Sequence, residues 1–206
     1  MINGRPLIAW AIEVALASGE FSEVVVSTED EEIAQISKAH GASVPFLRPA
    51  TLADDFTSTL DVIAHALSEM QGRGFSGDFL CCIYPAAILI DPGDISDSRS
   101  LLAESNRDYC AAVLRYTHPV QRAMVLGARG DLIFTDPNAA AKRTQDLPPR
   151  WHDAGQFYWG RVTAWSAELP ILPNAVGYEI GADRAVDIDS ESDWLRAEHL
   201  HAVSRR

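Results

Sequence analysis

The chain has 206 residues, 47% of them hydrophobic and 22% charged, which is the composition of a soluble globular protein with one domain spanning residues 1–206. Its formal net charge of −12 opposes nonspecific binding to nucleic acid or to anionic membranes, and no apolar run approaches the roughly 20 residues of a membrane-spanning helix. The three cysteines, Cys81, Cys82 and Cys110, form neither an even disulfide framework nor a CxxC metal pair, and they predict core thiols in a reducing cytoplasm.

The first half of the chain alternates between helical and strand patterns. Apolar residues recur at helical spacing over 6–19, behind a first-turn proline and before a terminal glycine. The β-branched run EVVVST at 23–28 is short enough to be a buried parallel strand. Acidic residues in the first turn and a glycine stop predict a helix over 29–41, and an amphipathic helix follows over 58–70.

Further strand patterns occur along the rest of the chain. The apolar runs DFLCCIY at 78–84 and DYCAAVLRY at 108–116 predict two strands, and VGYEI at 176–180 and AVDID at 185–189 predict two more. Residues 190–203 have the pattern of a closing helix. Helices that alternate with short apolar strands are typical of an α/β protein with a mostly parallel sheet.

The residues that follow the apolar strands are the candidates for chemistry, because ligands of such sheets bind outside the carboxyl ends of the strands. Polar or turn-forming residues stand there at 27–30 and 84–87. Asp187 and Asp189 lie two residues apart, on the same side of an extended segment, where they could hold a divalent cation. The alternative is structural, since Asp189 or Ser190 could cap the helix that follows.

Five segments together carry a family resemblance. They are GRPLIAWAIEVAL, VVVSTEDEEIAQISKAHGASVPFLRPATLADDFTSTLDVIAHAL, CCIYPAAILI, RTQDLPPRWHDAGQFYWG and AVDIDSESDWLRAE. In order and spacing they resemble the cytidylyltransferases that activate nonulosonic acids. The loop LRPATLADDFTSTLDV is specific to that superfamily, and HDAGQFYWG is similar to its pseudaminic acid branch. The resemblance covers nearly the whole chain and implies a Rossmann-like, three-layer nucleotidyltransferase fold.

The resemblance implies a reaction in which CTP and a nine-carbon 2-keto sugar acid give a CMP-sugar and pyrophosphate. Pseudaminic acid is the implied sugar, for bacterial surface glycans or flagellin, and legionaminic or sialic acid is the alternative. Such a reaction depends on the positioning of the two substrates and on Mg²⁺, which neutralises the charge that builds on the phosphate oxygens. Asp187 and Asp189 match the family's metal-binding acids, and they are the implied Mg²⁺ ligands and catalytic residues. The family also implies a homodimer in which each partner helps to close the other's sugar site.

Other positions match the family's substrate-binding motifs. A guanidinium fork, hydroxyls and a carboxylate suit phosphates and the cytosine base, whereas a sugar acid needs a pocket of polar and aromatic groups. The implied nucleotide-binding residues are Arg48, Asp55, Thr57 and Ser58. The implied sugar-binding residues are Tyr84, Gln121, Arg122, Arg143, Gln145, His152, Asp153, Gln156 and Tyr158.

Several of these positions also have a structural interpretation. Arg48 could be a surface arginine ahead of a turn proline, and Ser58 could cap the helix at 58–70. The aromatic residues of HDAGQFYWG could belong to the core, with a turn at 153–155. His152 beside an aspartate is weak evidence for a general base or a metal ligand.

Two departures from the family pattern bear on function. In YPAAILI, Ala86 and Ile88 replace the family's usual threonine and second proline, which removes one polar contact to substrate. The family's chains begin with a strand and a glycine- and basic-rich loop, approximately IPARGGSKRIPRKN, whose N–H groups and cations grip the triphosphate. Here the sequence begins at Met1, just after that loop should have ended.

Two explanations of this missing front remain open. Either the start is assigned too late and the native protein is longer, or the chain is a truncated relative that binds a sugar or nucleotide without catalysis. We expect little or no CMP-sugar synthesis from the 206-residue polypeptide itself. The missing strand should be central in the sheet, so its absence would leave backbone donors and acceptors unpaired beside buried neighbours.

Overall fold

The computed structural model describes residues 1–204 and shows an α/β protein. No helix in this range is long and apolar enough to cross a lipid bilayer. The helices are α1 (Leu7–Ser18), α2 (Glu31–Ala39), α3 (Thr59–Gly72), α4 (Pro92–Glu104), α5 (Pro137–Ala140), α6 (Val162–Ser166) and α7 (Glu191–Ser204). The strands are β1 (Phe79–Ile83), β2 (Tyr109–Arg115), β3 (Met124–Leu126), β4 (Leu132–Phe134), β5 (Trp151–Arg161) and β6 (Ala175–Glu179).

Four strands form the main sheet, in the order β1–β5–β2–β6, while β3 and β4 form a separate hairpin. β5 runs antiparallel to both β1 and β2, and β2 runs parallel to β6. The predicted α/β fold is confirmed, but this sheet is mixed rather than mostly parallel. The reason is that β5 returns between β1 and β2 and pairs with both of them in the antiparallel direction.

Helices cover both faces of the sheet and give the predicted three layers. On one face, α1 and α4 pack in a buried cluster that includes Ile95 and Phe157. On the other face, α3 and α6 pack in a second cluster that includes Leu67 and Trp165. Strands covered on both faces bury their side chains in both directions, which explains the near-continuous apolar runs of β1 and β2.

Two segments that the sequence predicts as strands are not strands of this sheet. The run at 23–28 is extended but makes only an isolated parallel bridge, between Val25 and Ser43. The run at 185–189 is also extended and pairs with no strand in residues 1–204. Apolar alternation reports burial of a segment, and a strand additionally needs a neighbour whose backbone lies within hydrogen-bond reach.

The hydrogen bonds at the starts of α3 and α7 show that Ser58 and Ser190 are helix caps. Ser58 caps α3 in a reciprocal capping box with Asp61, as predicted for the structural alternative. At α7, the N–H of Asp193 donates to Ser190 Oγ at 3.3 Å, and the Ser190 N–H donates back to the Asp193 carboxylate at 3.0 Å. Ser190 therefore caps α7, and Asp189 is not needed for that role.

Candidate active site

Asp187 and Asp189, which we call the acidic pair, lie at the end of an extended segment whose Val186 side chain is packed in the core. Val186 is 4% exposed and packs in a third buried cluster with Ile2 and Ile88. Asp187 and Asp189 are both exposed, whereas Val186 is buried and Ile188, which lies between the two acids, is half-buried. Because side chains two residues apart on an extended segment point the same way, the two carboxylates share one side of the chain.

The electrostatics of the pair suit a cation. The pKa of Asp187 is raised, first by partial desolvation and then by the negative charges of Asp189, Asp153 and Asp193. Gly155, at a φ of 61°, brings β5 so close that a Cβ there would lie 3.5 Å from the Asp187 carboxylate carbon. Carboxylates crowded in this way repel one another until a cation binds, and hard oxygen donors are those that Mg²⁺ prefers.

Asp187 and Asp189 provide only part of the ligands that a metal ion needs. Residues 1–204 contain no group of three or more His, Cys, Asp or Glu side chains arranged to hold a metal ion by themselves. Mg²⁺ commonly takes one or two protein carboxylates and completes its shell with water and substrate phosphates. Asp187 and Asp189 fit that form of site and do not fit a purely structural metal site.

A chain of hydroxyl groups runs from the acidic pair towards the start of α3. Asp153 accepts hydrogen bonds from the Gly155 N–H at 3.0 Å and from the Tyr158 hydroxyl at 2.5 Å. The rings of Tyr158 and Tyr84 meet edge to face at 5.8 Å, and the Tyr84 hydroxyl lies 2.6 Å from Thr59 Oγ1. Burial raises the pKa of both phenols, so both remain protonated and able to donate near neutral pH.

The nucleotide-binding candidates lie at the other end of this hydroxyl chain. Arg48 forms an ion pair with Glu29 and lowers the pKa of that carboxyl, while Arg48 Nε is buried without a partner among residues 1–204. Arg48 and Thr57 line one cavity together with Tyr84. Asp55 is exposed on the loop before α3 and lies outside that cavity lining.

Four of the nine sugar-binding candidates, Gln121, Arg122, Arg143 and Gln145, lie on the largely exposed stretch that precedes β5. The Gln121 amide donates to the Pro148 carbonyl at 2.8 Å, which ties the two ends of the stretch together. Arg143 makes a two-pronged ion pair with Asp146, at 2.7 and 3.1 Å. Arg122 and Gln145, on the same stretch, are exposed, and so is His152 at the start of β5.

Gln156 is placed differently from the other sugar-binding candidates. It is 1% exposed, and its amide donates to the carbonyls of Ala154, Gly155 and Val186 at 3.0, 3.1 and 3.3 Å. The third bond connects β5 to the segment that carries Asp187. In this structure the Gln156 side chain is buried and does not face an open pocket, and its amide supports the backbone directly before Asp187.

The sequence did not single out two groups that the fold brings to the site. Thr59 reaches Tyr84 only because α3 begins beside the end of β1. Arg184, three residues before Asp187, bonds Asp91 at 2.7 Å and also pairs with Asp94, which is 4% exposed. Both contacts join residues far apart in the chain, so no local pattern indicates them.

Comparison with known proteins identifies the family of this chain. A family model described as cytidylyltransferase matches residues 1–182. The chain belongs to the cytidylyltransferase family. It is therefore a nucleotidyltransferase, and the resemblance noted from the five segments is confirmed.

Named relatives and a solved structure resemble this cytidylyltransferase over most of its length. Pseudaminic acid cytidylyltransferase from Campylobacter jejuni is 33% identical over 202 residues, which span 98% of this chain and 87% of the relative. N-acylneuraminate cytidylyltransferase from Escherichia coli is 43% identical over 196 residues, which span 94% of this chain and 45% of the relative. CMP:2-keto-3-deoxy-manno-octonic acid synthetase complexed with CTP aligns with a TM-score of 0.68 at 18% identity, over 98% of this chain and 90% of its own. This last likeness shows the fold.

Proposed function

We propose that this cytidylyltransferase joins CTP to pseudaminic acid, with Mg²⁺ as cofactor, and releases pyrophosphate. One observation carries the proposal: Asp187 and Asp189 are exposed carboxylates that neither cap α7 nor form ion pairs within residues 1–204. The similarity to the Campylobacter jejuni relative supports the choice of sugar. Free thiols and a nucleotide substrate are consistent with a cytoplasmic location.

In the proposed reaction, the sugar's anomeric hydroxyl attacks the α-phosphorus of CTP, and the bond to the leaving pyrophosphate breaks in line. Asp187 and Asp189 would hold Mg²⁺, which when bound neutralises charge on the phosphate oxygens. Arg48 presents a guanidinium at the cavity mouth, where it suits a phosphate or the cytosine carbonyl. The protonated phenol of Tyr84 can donate a hydrogen bond to the substrate.

The proposed sugar site uses the exposed stretch before β5. A sugar acid carries one carboxylate, and Arg143 is 73% exposed in an ion pair with Asp146 that a substrate carboxylate can replace at little cost. His152, whose ring lies 4.7 Å from that of Tyr116, offers a second polar group beside an aromatic surface. These contacts would orient the sugar towards Asp153 and the acidic pair.

We also propose a homodimer that uses the β3–β4 hairpin. This hairpin has only two strands, and its apolar side chains are largely in solvent: Val125 is 55% exposed, Leu126 70%, Leu132 63% and Ile133 61%. A two-stranded ribbon is at best marginally stable in water, and exposed apolar patches of this kind usually mark interfaces. A second copy that covers the hairpin would also approach the neighbouring sugar candidates.

Pyrophosphate release tests the function. The assay uses CTP, Mg²⁺ and either pseudaminic or N-acetylneuraminic acid, with a version of the chain extended ahead of Met1 by the family's glycine- and basic-rich segment. We expect release that requires all three components and a higher kcat/KM for pseudaminic acid. Equal kcat/KM values would contradict the proposed preference for pseudaminic acid. CTP binding with no pyrophosphate release in the presence of pseudaminic, legionaminic or N-acetylneuraminic acid would favour a noncatalytic binding protein.

A further inference from the structure

Trp151, at the start of β5, is a large aromatic residue that is held in place and still open to solvent. It is 44% exposed, and its Nε1–H donates to the Glu179 carboxylate at 2.7 Å. Trp151 pairs with Arg115 of β2, and Glu179 pairs with Val113 of β2 from the opposite side. The indole N–H therefore reaches from β5 across β2 towards β6, which lies about 10 Å away at about 4.8 Å between neighbouring strands.

This hydrogen bond fixes the orientation of the ring. An indole that is attached to β5 and bonded to a side chain of β6 must cross over β2, so part of it lies against the sheet and the rest is in solvent. We call the exposed surface of this indole the Trp151 platform. The single donor of the indole is already used, so the platform offers a ligand only apolar surface and a π-face. A ring held in this way loses little side-chain entropy when a ligand binds.

The Trp151 platform lies in one row with the acidic pair. Trp151 and Asp153 are two residues apart in the part of β5 where the pairing with β2 is regular, so their side chains point to the same face of the sheet. Asp153 accepts a hydrogen bond from the Gly155 N–H at 3.0 Å, and Gly155 lies directly beside the Asp187 carboxylate. The acidic pair, Asp153 and the platform therefore follow one another along β5.

The length of this row matches a sugar acid. Trp151 precedes Gly155 by four residues, which is about 13 Å at about 3.3 Å per residue. In a nine-carbon sugar acid, the carbon chain beyond the anomeric carbon reaches about 8 Å, at about 1.5 Å per bond, and an ester oxygen with its phosphorus adds about 3 Å. A sugar whose anomeric end lies at the acidic pair therefore brings its last carbon atoms into contact with the indole.

We propose that the Trp151 platform binds the terminal carbon atoms of the sugar acid and selects a sugar that ends in a methyl group. This assignment rests on the proposed function and deepens it. Pseudaminic acid ends in a methyl group, whereas N-acetylneuraminic acid ends in a hydroxymethyl group. A methyl group gains free energy when it leaves water for an indole face. A hydroxyl group there loses hydrogen bonds to water and finds no donor or acceptor on the ring, because the indole N–H is bonded to Glu179.

Glu179 is a positioning residue in this arrangement. It does not touch the sugar and acts only by holding the indole across β2. Its contribution should therefore disappear when the ring has no N–H. Trp151→Phe keeps an aromatic surface and removes the donor, so it provides the background in which this dependence can be measured.

The test measures binding of the free sugars to the 206-residue chain by NMR, without CTP and without turnover. Saturation transfer identifies the sugar protons that contact the protein, and a titration gives Kd. We expect strong saturation of the terminal methyl group of pseudaminic acid, and loss of that signal with a Kd about tenfold higher in Trp151→Ala. N-acetylneuraminic acid should bind the unmodified chain more weakly than pseudaminic acid, and this preference should largely vanish in Trp151→Ala.

A double-mutant cycle tests the positioning role. Glu179→Ala should raise Kd for pseudaminic acid about threefold, as expected for the loss of one hydrogen bond. The same substitution in the Trp151→Phe background should have no further effect, because the two residues act through one contact. Glu104→Ala, an exposed glutamate at the end of α4, is the matched control and should leave Kd unchanged.

Three results would overturn the proposal. They are an unchanged Kd and methyl signal in Trp151→Ala, failure of pseudaminic acid to bind the chain, and a changed oligomeric state of Trp151→Ala in light scattering, which would place the indole in a subunit interface. An equal effect of Glu179→Ala with and without the indole N–H would overturn the positioning role. Since the titration needs no CTP, absence of pyrophosphate release in the activity assay would count against the proposed function alone.

Discussion

β1 and β2 have similar apolar sequences, FLCCI and YCAAV, but they lie in different surroundings. In β2, the residues from Tyr109 to Ala112 are at most 1% exposed, whereas every residue of β1 is only half-buried. β2 has a strand on each side, whereas among residues 1–204 β1 pairs with β5 alone, and its residues line a cavity. The apolar patterns of β1 and β2 therefore predict that both are strands, while the number of paired edges decides how deeply each is buried.

The largest expected effect is a loss of stability in the closed part of the sheet. Phe157 and Ile83 are cross-strand partners, but Phe157 is 0% exposed, whereas Ile83 is half-buried and lines the cavity beside β1. Phe157→Ala should lower the free energy of unfolding by about 3–5 kcal/mol, and Ile83→Ala by about 1 kcal/mol. Urea unfolding of both variants measures the difference. Equal losses would mean that the edge of β1 is as well packed as the centre of the sheet.

The second prediction separates chemistry from stability at the acidic pair. In the version of the chain used for the pyrophosphate assay, Asp189→Asn should reduce kcat by about 100-fold or more, because charge stabilisation in such transition states amounts to several kcal/mol. Asp187→Asn should behave similarly or more mildly. Because partial desolvation and then the negative charges of neighbouring carboxylates raise the pKa of Asp187, loss of its charge should not lower the melting temperature of the metal-free protein. A marked fall in stability with unchanged activity per folded molecule would contradict the metal role.

The third prediction concerns the ion pair between Arg184 and Asp94, near the acidic pair. Arg184→Gln removes the charge that pairs with the buried Asp94 and should cost about 1–2 kcal/mol of stability. If this ion pair positions Asp187, the Mg²⁺ concentration for half-maximal activity should rise several-fold while kcat at saturating Mg²⁺ is nearly restored. Arg196→Gln is the matched control, since Arg196 donates to the nearby Ala182 carbonyl at 3.3 Å and is not part of the Arg184–Asp94 ion pair. Loss of stability alone, with no change in Mg²⁺ requirement, would leave Arg184 a purely structural residue.

The smallest effect is expected at the exposed sugar candidates. His152 is exposed, so His152→Ala should leave the melting temperature unchanged and raise KM for the sugar about three- to tenfold, with KM for CTP unaffected. Gln156→Ala should differ, because the buried amide supports three carbonyls and its loss should lower stability as well as weaken sugar binding. A larger rise in KM for CTP than for the sugar would place the sugar pocket elsewhere.

The sequence by itself determined the local elements and the family. Helical periodicity with capping residues predicted α1, α2, α3 and α7 closely, because helix hydrogen bonds and caps join residues three or four positions apart. Motifs such as HDAGQFYWG identified the cytidylyltransferases, and the alternation in AVDID placed Asp187 and Asp189 on one side of the chain. These inferences needed only short-range geometry.

Only the tertiary structure decided which extended segments pair and what the buried polar groups do. The runs at 23–28 and 185–189 have strand patterns, but pairing requires a neighbouring backbone that no local pattern specifies. The sequence predicts Gln156 as a sugar-binding residue, and the tertiary structure adds a hydrogen bond from its buried amide to the Val186 carbonyl. The ion pair between Arg184 and Asp94 likewise depends on a contact between residues distant in the chain, which arises only when the layers pack.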